Sequence, residues 1–293
     1  MFIATLIAPG RLTAADISDA RARLDAAGCA PVAWEWLDEG DAADIAFRAA
    51  PDAARGALEG VFPGVDVVVQ SNHERQKSLL VADMDSTMIT VECIDELADY
   101  AGIKPQIAAI TEAAMRGELD FEGALDARVA LLKGLPESVI ETCLAERVCD
   151  MAGAETLIKT FRARGGTAIL VSGGFTRFAE PVAARLGFHR AIANRLELGE
   201  GVLSGTVTKP IVGAQTKLDT LLAATAELGL SPTQTLAVGD GANDLAMIKA
   251  AGLGVAYHAK PVVAAAAAAR IDHGDLTALL YAQGIPKSEW VSA

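Results

Sequence analysis

Short apolar runs without alternation recur along this chain, and each breaks into polar residues. Ser78-Leu79-Leu80-Val81-Ala82, Thr167-Ala168-Ile169-Leu170-Val171, Thr235-Leu236-Ala237-Val238 and Leu253-Gly254-Val255-Ala256 all have this form. Such runs are predicted as strands buried on both faces of a parallel sheet. Helical patterns separate them, including one from about Thr216 to Gly229, so a doubly wound α/β sheet is expected. Between Val91 and Ala152 the spacing is helical throughout: Ile94, Leu97 and Ala98, then Ile107, Ile110 and Ala114, then Leu125, Val129 and Leu132. Pro105 and Pro136, with Gly102 and Gly134 shortly before them, punctuate these helices. The stretch predicts a helical-bundle cap at about 91–152, inserted between two strands of the sheet. Asn194 to Thr208, with Gly199 and Gly201 in its middle, reads as a β-hairpin, and the alanine run Ala264 to Ala269 as a surface helix.

The first part of the chain has a different rhythm. Phe2–Ala8 reads as a strand, Ala14–Ala27 as a helix, and Pro31–Leu37 and Asp44–Ala49 as a strand pair. A weak helix at Pro51–Glu59 and a strand at Val65–Gln70 complete a β-α-β-β-α-β order, the α+β ferredoxin-like pattern. Ser71–Lys77 is polar and aperiodic, which sets the expected domains at 1–71 and 72–293. The first unit resembles an ACT-type regulatory domain in element order and length. That resemblance implies serine binding there; a structural appendage that joins two copies as a homodimer is the alternative.

Composition narrows the functional classes. A net charge of −13 without a Lys/Arg cluster argues against nucleic acid or an acidic membrane surface as partner. The four cysteines, Cys29, Cys93, Cys143 and Cys149, form no Cys-x-x-Cys pair and have no histidine close by, so neither zinc nor a disulfide framework is expected. No run reaches the roughly 18 apolar residues of a membrane span. The N-terminus lacks the basic segment of a signal peptide. A cytoplasmic location is therefore expected.

Candidate chemistry lies where the apolar runs stop. Open α/β sheets bind ligands at the carboxyl ends of their strands. Asp83-Met84-Asp85-Ser86-Thr87 follows one run and Gly239-Asp240-Gly241-Ala242-Asn243-Asp244 another. If the first strand continues through Asp83, the two-residue period points Asp83 and Asp85 into one crevice. Taken alone, the first motif reads equally well as a polar turn capping a helix, and the second reads as a tight turn.

Taken together, Asp83-x-Asp85-Ser86-Thr87, Ser172-Gly173-Gly174, Lys217 and Gly239-Asp240-Gly241-x-Asn243-Asp244 resemble the phosphatase branch of the haloacid dehalogenase superfamily over about Leu79 to His273. The resemblance implies that Asp83 attacks phosphorus and that Asp85 serves as general acid and then base. It implies Mg²⁺ held by the Asp83 and Asp240 side chains and the Asp85 main-chain carbonyl, with Asp244 in support. Ser172, Gly173 and Lys217 are expected at the phosphate and Asn243 at the substrate. Val91-Glu92-Cys93 and an Arg in the second cap helix are similar to phosphoserine phosphatases. That likeness implies Glu92 for an ammonium, Arg128 for a carboxylate, and Met115 and Phe121 beside them. The activity implied is hydrolysis of phosphoserine, the last step of serine biosynthesis. The rivals are a phosphatase or phosphotransferase for another small ester, such as phosphohomoserine or phosphoethanolamine, and an amino-acid-sensing regulatory protein. Surface ion pairing is the plainer reading of Glu92 and Arg128.

Overall fold

The computed structural model describes residues 1–115 and 118–291. The first unit runs β1 (Phe2–Ile7), α1 (Ala14–Ala26), β2 (Pro31–Asp38), β3 (Ala42–Phe47), α2 (Pro51–Leu58) and β4 (Asp66–Ser71). Its strands form an antiparallel sheet in the order β2-β3-β1-β4. Helix α1 starts at Thr13, which exchanges hydrogen bonds with Asp16 in a capping box and so satisfies main-chain N–H groups left open at a helix start. Leu6, Ile17, Leu24, Ile45 and Leu58 form the core between this sheet and its helices.

The second unit opens with β5 (Leu79–Ala82) and then leaves the sheet for α3 (Cys93–Tyr100), α4 (Lys104–Met115), α5 (Phe121–Leu131) and α6 (Ser138–Glu146). It returns through α7 (Ala154–Ala163), β6 (Thr167–Phe175), α8 (Thr176–Leu186) and β7 (Arg190–Asn194), followed by a hairpin of β8 (Leu196–Gly199) and β9 (Val202–Val207). Then come α9 (Ala214–Glu227), β10 (Thr235–Gly239), α10 (Leu245–Ala250), β11 (Leu253–Tyr257), α11 (Pro261–Ala266), β12 (Ala269–Ile271) and α12 (Ala278–Ala282). The sheet is parallel, in the order β12-β11-β10-β5-β6-β7. Every residue of β5 is fully buried, as a central strand covered on both faces requires.

Four expectations need correction. Strand β5 ends at Ala82 and does not carry Asp83 and Asp85 in strand alternation. Asp83 N–H still bonds Val238 O at 3.0 Å, but the Asp83 carboxylate accepts the Met84 N–H at 2.7 Å and turns the chain. Ser86 then takes a left-handed conformation, φ 55°. The cap is not helical throughout, because loops follow α3 and α5 and Asp150 bridges to Ile89. Asn194 belongs to the parallel sheet, and the hairpin begins after it. The alanine run is not a surface helix: α11 stops at Ala266, Ala264, Ala267 and Ala269 are buried, and Ala269 opens a strand paired to β11. Periodicity cannot separate helix from strand where every side chain is a methyl group.

The two units share buried contacts. Ile7, Ala42 and Val68 lie in the same apolar cluster as Leu279 and Leu280. The Asp66 carboxylate accepts N–H groups from Asp272 at 2.8 Å and Gly274 at 2.7 Å. Arg75, in the polar stretch between the units, bonds Asp44, Thr5 and the carbonyls of Tyr281 and Ala282.

Candidate active site

Three neighbouring strands deliver the site. Ala82 pairs with Val238 on one side and Leu170 on the other, so β10 and β5 end side by side while β6 runs on past them through Ser172-Gly173-Gly174. Asp83, Asp240 and Ser172-Gly173-Gly174 therefore meet although they are distant in sequence. Helix α9 packs across these strands and brings in Lys217 from its first turn.

Lys217 Nζ lies 2.7 Å from Asp83 Oδ1 and 2.6 Å from Asp244 Oδ1, and all three residues are buried. The second Asp244 oxygen accepts the Gly241 N–H at 3.0 Å. Glycine is required at 239, where a Cβ would fall 2.3 Å from the Asp244 carboxyl carbon. Asp240 accepts a hydrogen bond from Thr87 Oγ1 at 3.0 Å. Asp85 is held apart from this cluster: its Oδ1 accepts the Cys93 N–H at 3.0 Å and its Oδ2 accepts from Ser172 Oγ at 3.2 Å. Ser172 Oγ in turn accepts the Gly174 N–H at 2.8 Å.

One buried cation serves two carboxylates, and the electrostatics follow from that. Burial and the neighbouring Asp244 push the Asp83 pKa well up, with Lys217 opposing them. Burial works against the Lys217 ammonium, but Asp83 and Asp244 outweigh it and raise its pKa. Asp240 is pushed up to about 6 by burial and by Asp244, against the Thr87 hydrogen bond. Asp85 is also pushed up to about 6, by burial and then by Glu92, against its bonds to Cys93 and Ser172.

Carboxylate oxygens of Asp83, Asp240 and Asp244 lie within 4.8 Å of one another. An all-oxygen set with excess negative charge fits a hard divalent cation such as Mg²⁺. Both Asp244 oxygens are engaged, by Lys217 and by the Gly241 N–H, whereas the bonds to Asp83 and to Asp240 fall on Oδ1 alone, so Asp83 and Asp240 are the carboxylates with an oxygen left to hold it.

A cavity of about 670 Å³ opens over this floor. Asp83, Asp85, Gly173, Asp240 and Asn243 line it from the sheet side, and Glu92, Phe121, Leu125 and Arg128 from the cap side. Glu92 accepts from Ser86 Oγ at 2.7 Å. Arg128 Nε donates to Ala124 O at 3.2 Å; burial lowers the Arg128 pKa, opposed by Asp95 and Glu92. Lys217 and Ser172 are fully buried and do not line the cavity, so each meets it through an aspartate. The side chain of Met115 lies outside the described residues. Sequence reasoning gave no role to Thr87, Asp95, Asn194 or Lys260, although all but Asn194 and Thr87 line the cavity. Thr87 stood inside a quoted motif, whereas the other three carried no spacing signal.

The haloacid dehalogenase-like hydrolase family model matches residues 80–249. The chain belongs to this family. The matched span runs from β5 to α10 and carries Asp83, Asp85, Ser172, Lys217 and Asp240, with the cap between them. A phosphoserine phosphatase of Haemophilus influenzae is 47% identical over 205 residues, which is 70% of this chain and 65% of that one. The chain thus spans less than two thirds of that relative's length. A had family hydrolase from Salmonella enterica subsp. enterica serovar Typhi has a solved structure that superposes with a TM-score of 0.84 at 30% identity, covering 96% of this chain and 98% of that one. A probable phosphoserine phosphatase from Vibrio cholerae, in unliganded form, superposes with a TM-score of 0.75 at 35% identity, covering 96% and 88%. Both likenesses to solved family members extend beyond the matched span into the N-terminal unit. No helix among the described residues is long and apolar enough to cross a membrane.

Proposed function

We propose that this family member hydrolyses O-phospho-L-serine to L-serine and phosphate, the closing step of serine biosynthesis. One observation carries the reading: a single cavity is lined by Asp83 and Asp240 from the sheet side and by Glu92 and Arg128 from the cap side. Phosphoserine has that polarity, with an ester phosphate at one end and an ammonium and a carboxylate at the other. The guanidinium of Arg128 suits a carboxylate, and Glu92 suits an ammonium. The names of the relatives support the same substrate.

In this mechanism an Asp83 oxygen bonds to phosphorus as the bond from phosphorus to the serine oxygen breaks. Lys217 holds Asp83 in place for the attack. Asp85, raised to about 6, carries a proton for the leaving alkoxide at mildly acid pH. It then takes a proton from the water that hydrolyses the aspartyl-phosphate. The Gly173 main-chain N–H is the donor assigned to a phosphate oxygen. Asp83, Asp240 and the Asp85 carbonyl are the groups assigned to Mg²⁺, which when bound supplies positive charge against the repulsion between carboxylates and phosphate.

The deciding experiment measures phosphate release from phosphoserine by wild type and Asp83→Asn, each with and without EDTA. Turnover by wild type alone, abolished by chelation and restored by Mg²⁺, is expected. Turnover by Asp83→Asn at the wild-type rate, or chelator-insensitive turnover, would reject the mechanism. A higher kcat/KM on phosphohomoserine or phosphoethanolamine would reject the substrate.

A further inference from the structure

Strands β6 and β7 pair in step from Ile169 opposite Arg190 to Val171 opposite Ile192, and then lose register. The next pair is Phe175 opposite Asn194, so β6 advances past Ser172, Gly173 and Gly174 while β7 advances past Ala193 alone. The Ser172-Gly173-Gly174 stretch therefore bulges from the ladder toward the cavity, and a bulge strips main-chain groups of their ladder partners.

The Asn194 side chain replaces one of those partners. Its Nδ2 donates to Gly173 O at 2.9 Å and to Val212 O at 3.1 Å, and its Oδ1 accepts the Val212 N–H at 2.7 Å. The residue is only 2% exposed. A carboxamide alone among neutral side chains of this size offers both donors and an acceptor, so one side chain imitates a short piece of ladder between two loops.

Both loops serve the site. Gly173 lines the cavity, and Val212 leads into Gly213, whose carbonyl accepts the Lys217 N–H at 3.1 Å. The ring of the cap residue Phe121 rests across the seam: it would lie 3.2 Å from a Cβ on Gly173 and 3.0 Å from one on Gly213. We infer that Asn194 is a positioning residue that clamps the Gly173 loop to the start of the Lys217 helix, fixing together the main-chain donor for the phosphate and the platform that receives Phe121. The clamp stands on geometry; that phosphate is what Gly173 meets rests on the function proposed above.

The test compares wild type with Asn194→Ala, which removes the clamp, and with Asn194→Asp, which keeps its size but loses both donations. Hydrogen exchange is followed in segments 172–175 and 211–217. Steady-state kinetics are measured on phosphoserine and on a phosphate ester without a carboxylate, together with inhibition by inorganic phosphate. Faster exchange in both segments at once is expected. So is a fall in kcat/KM of about 10- to 100-fold, by the same factor on both esters, since small misplacements of reacting groups cost that much. Inhibition by inorganic phosphate should weaken in parallel. Should Asn194→Ala fail to fold, Asn194→Asp decides. Wild-type exchange in either segment of a folded variant, or a loss confined to phosphoserine, would overturn the assignment. A wild-type protein inert on both esters would remove the phosphatase reading and leave the clamp to be decided by exchange alone.

Discussion

Arg128 and Asp240 show how much a single side chain can be asked to do. Arg128 lines the cavity from the cap side whereas Asp83 lines it from the sheet side, so Arg128→Ala should act on the substrate's carboxylate and leave the phosphate end untouched. The expected result is a rise in KM for phosphoserine of about 10- to 100-fold, the worth of a charge-assisted hydrogen bond. A phosphate ester lacking the carboxylate should be affected far less; an equal rise on both would reject the role. Asp240 bears on pH. Its folded pKa of about 6 lies above the value near 3.9 of a free carboxyl. Between those values the folded chain holds a proton that the unfolded chain has lost, so stability without metal falls as pH rises from about 4 to about 6 and then levels. Asp85 contributes in the same direction. A divalent cation favours the ionised form, so Mg²⁺ should raise the melting temperature more at about pH 7.5 than at about pH 5. Asp240→Asn should flatten that difference, and a thermal melt series that shows no change in it would refute the assignment.

At the scale of elements, the site depends on how strands stop. The turn after β10 brings Asp244 back against Gly239, and no side chain fits between them. Gly239→Ala should cost about 1–3 kcal/mol as an overpacked core does. It should cost turnover more heavily, because the clash displaces Asp244 and with it Lys217. Gly199→Ala, on the hairpin, has open space at its Cβ and serves as the control. Urea unfolding and kcat measured on both variants check this; equal effects of the two substitutions would refute it. Much at this scale was legible beforehand. The apolar runs located β5, β6, β10 and β11, and the acidic motifs stand just beyond β5 and at the end of β10. The bulge in β6 and the strand hidden in the alanine run were not legible, since each depends on pairing with residues distant in sequence; the turn at Asp83 rests on a local bond from the Met84 N–H, which the two-residue period of a strand does not announce.

At the scale of the whole molecule, the N-terminal unit is fastened to the hydrolase core by buried charge. Arg75 pairs with Asp44, which is 3% exposed, and reaches two carbonyls of α12. Removing one partner of a buried ion pair strands the other, so Arg75→Ala should cost about 3–5 kcal/mol. Because the same side chain ties the units together, urea unfolding followed by tryptophan fluorescence and circular dichroism should lose coincidence, with Trp34 and Trp36 reporting the first unit and Trp290 the core. A single unshifted transition would show that the units are not coupled through Arg75. Nothing in the spacing of Arg75, Asp44 and Tyr281 announced this junction, and the polar stretch around Arg75 reads as a linker in the sequence.

By itself the sequence determined the local terms: which runs are apolar enough to lie inside a sheet, where glycines and acids end them, and which residue types stand at those ends. Those terms depend on a residue and its near neighbours. The tertiary structure alone decided that Lys217 lies buried between Asp83 and Asp244, that Ser172 meets the cavity through Asp85, and that Asn194 joins two loops. These depend on strand order and register, which are set by packing among segments far apart along the chain.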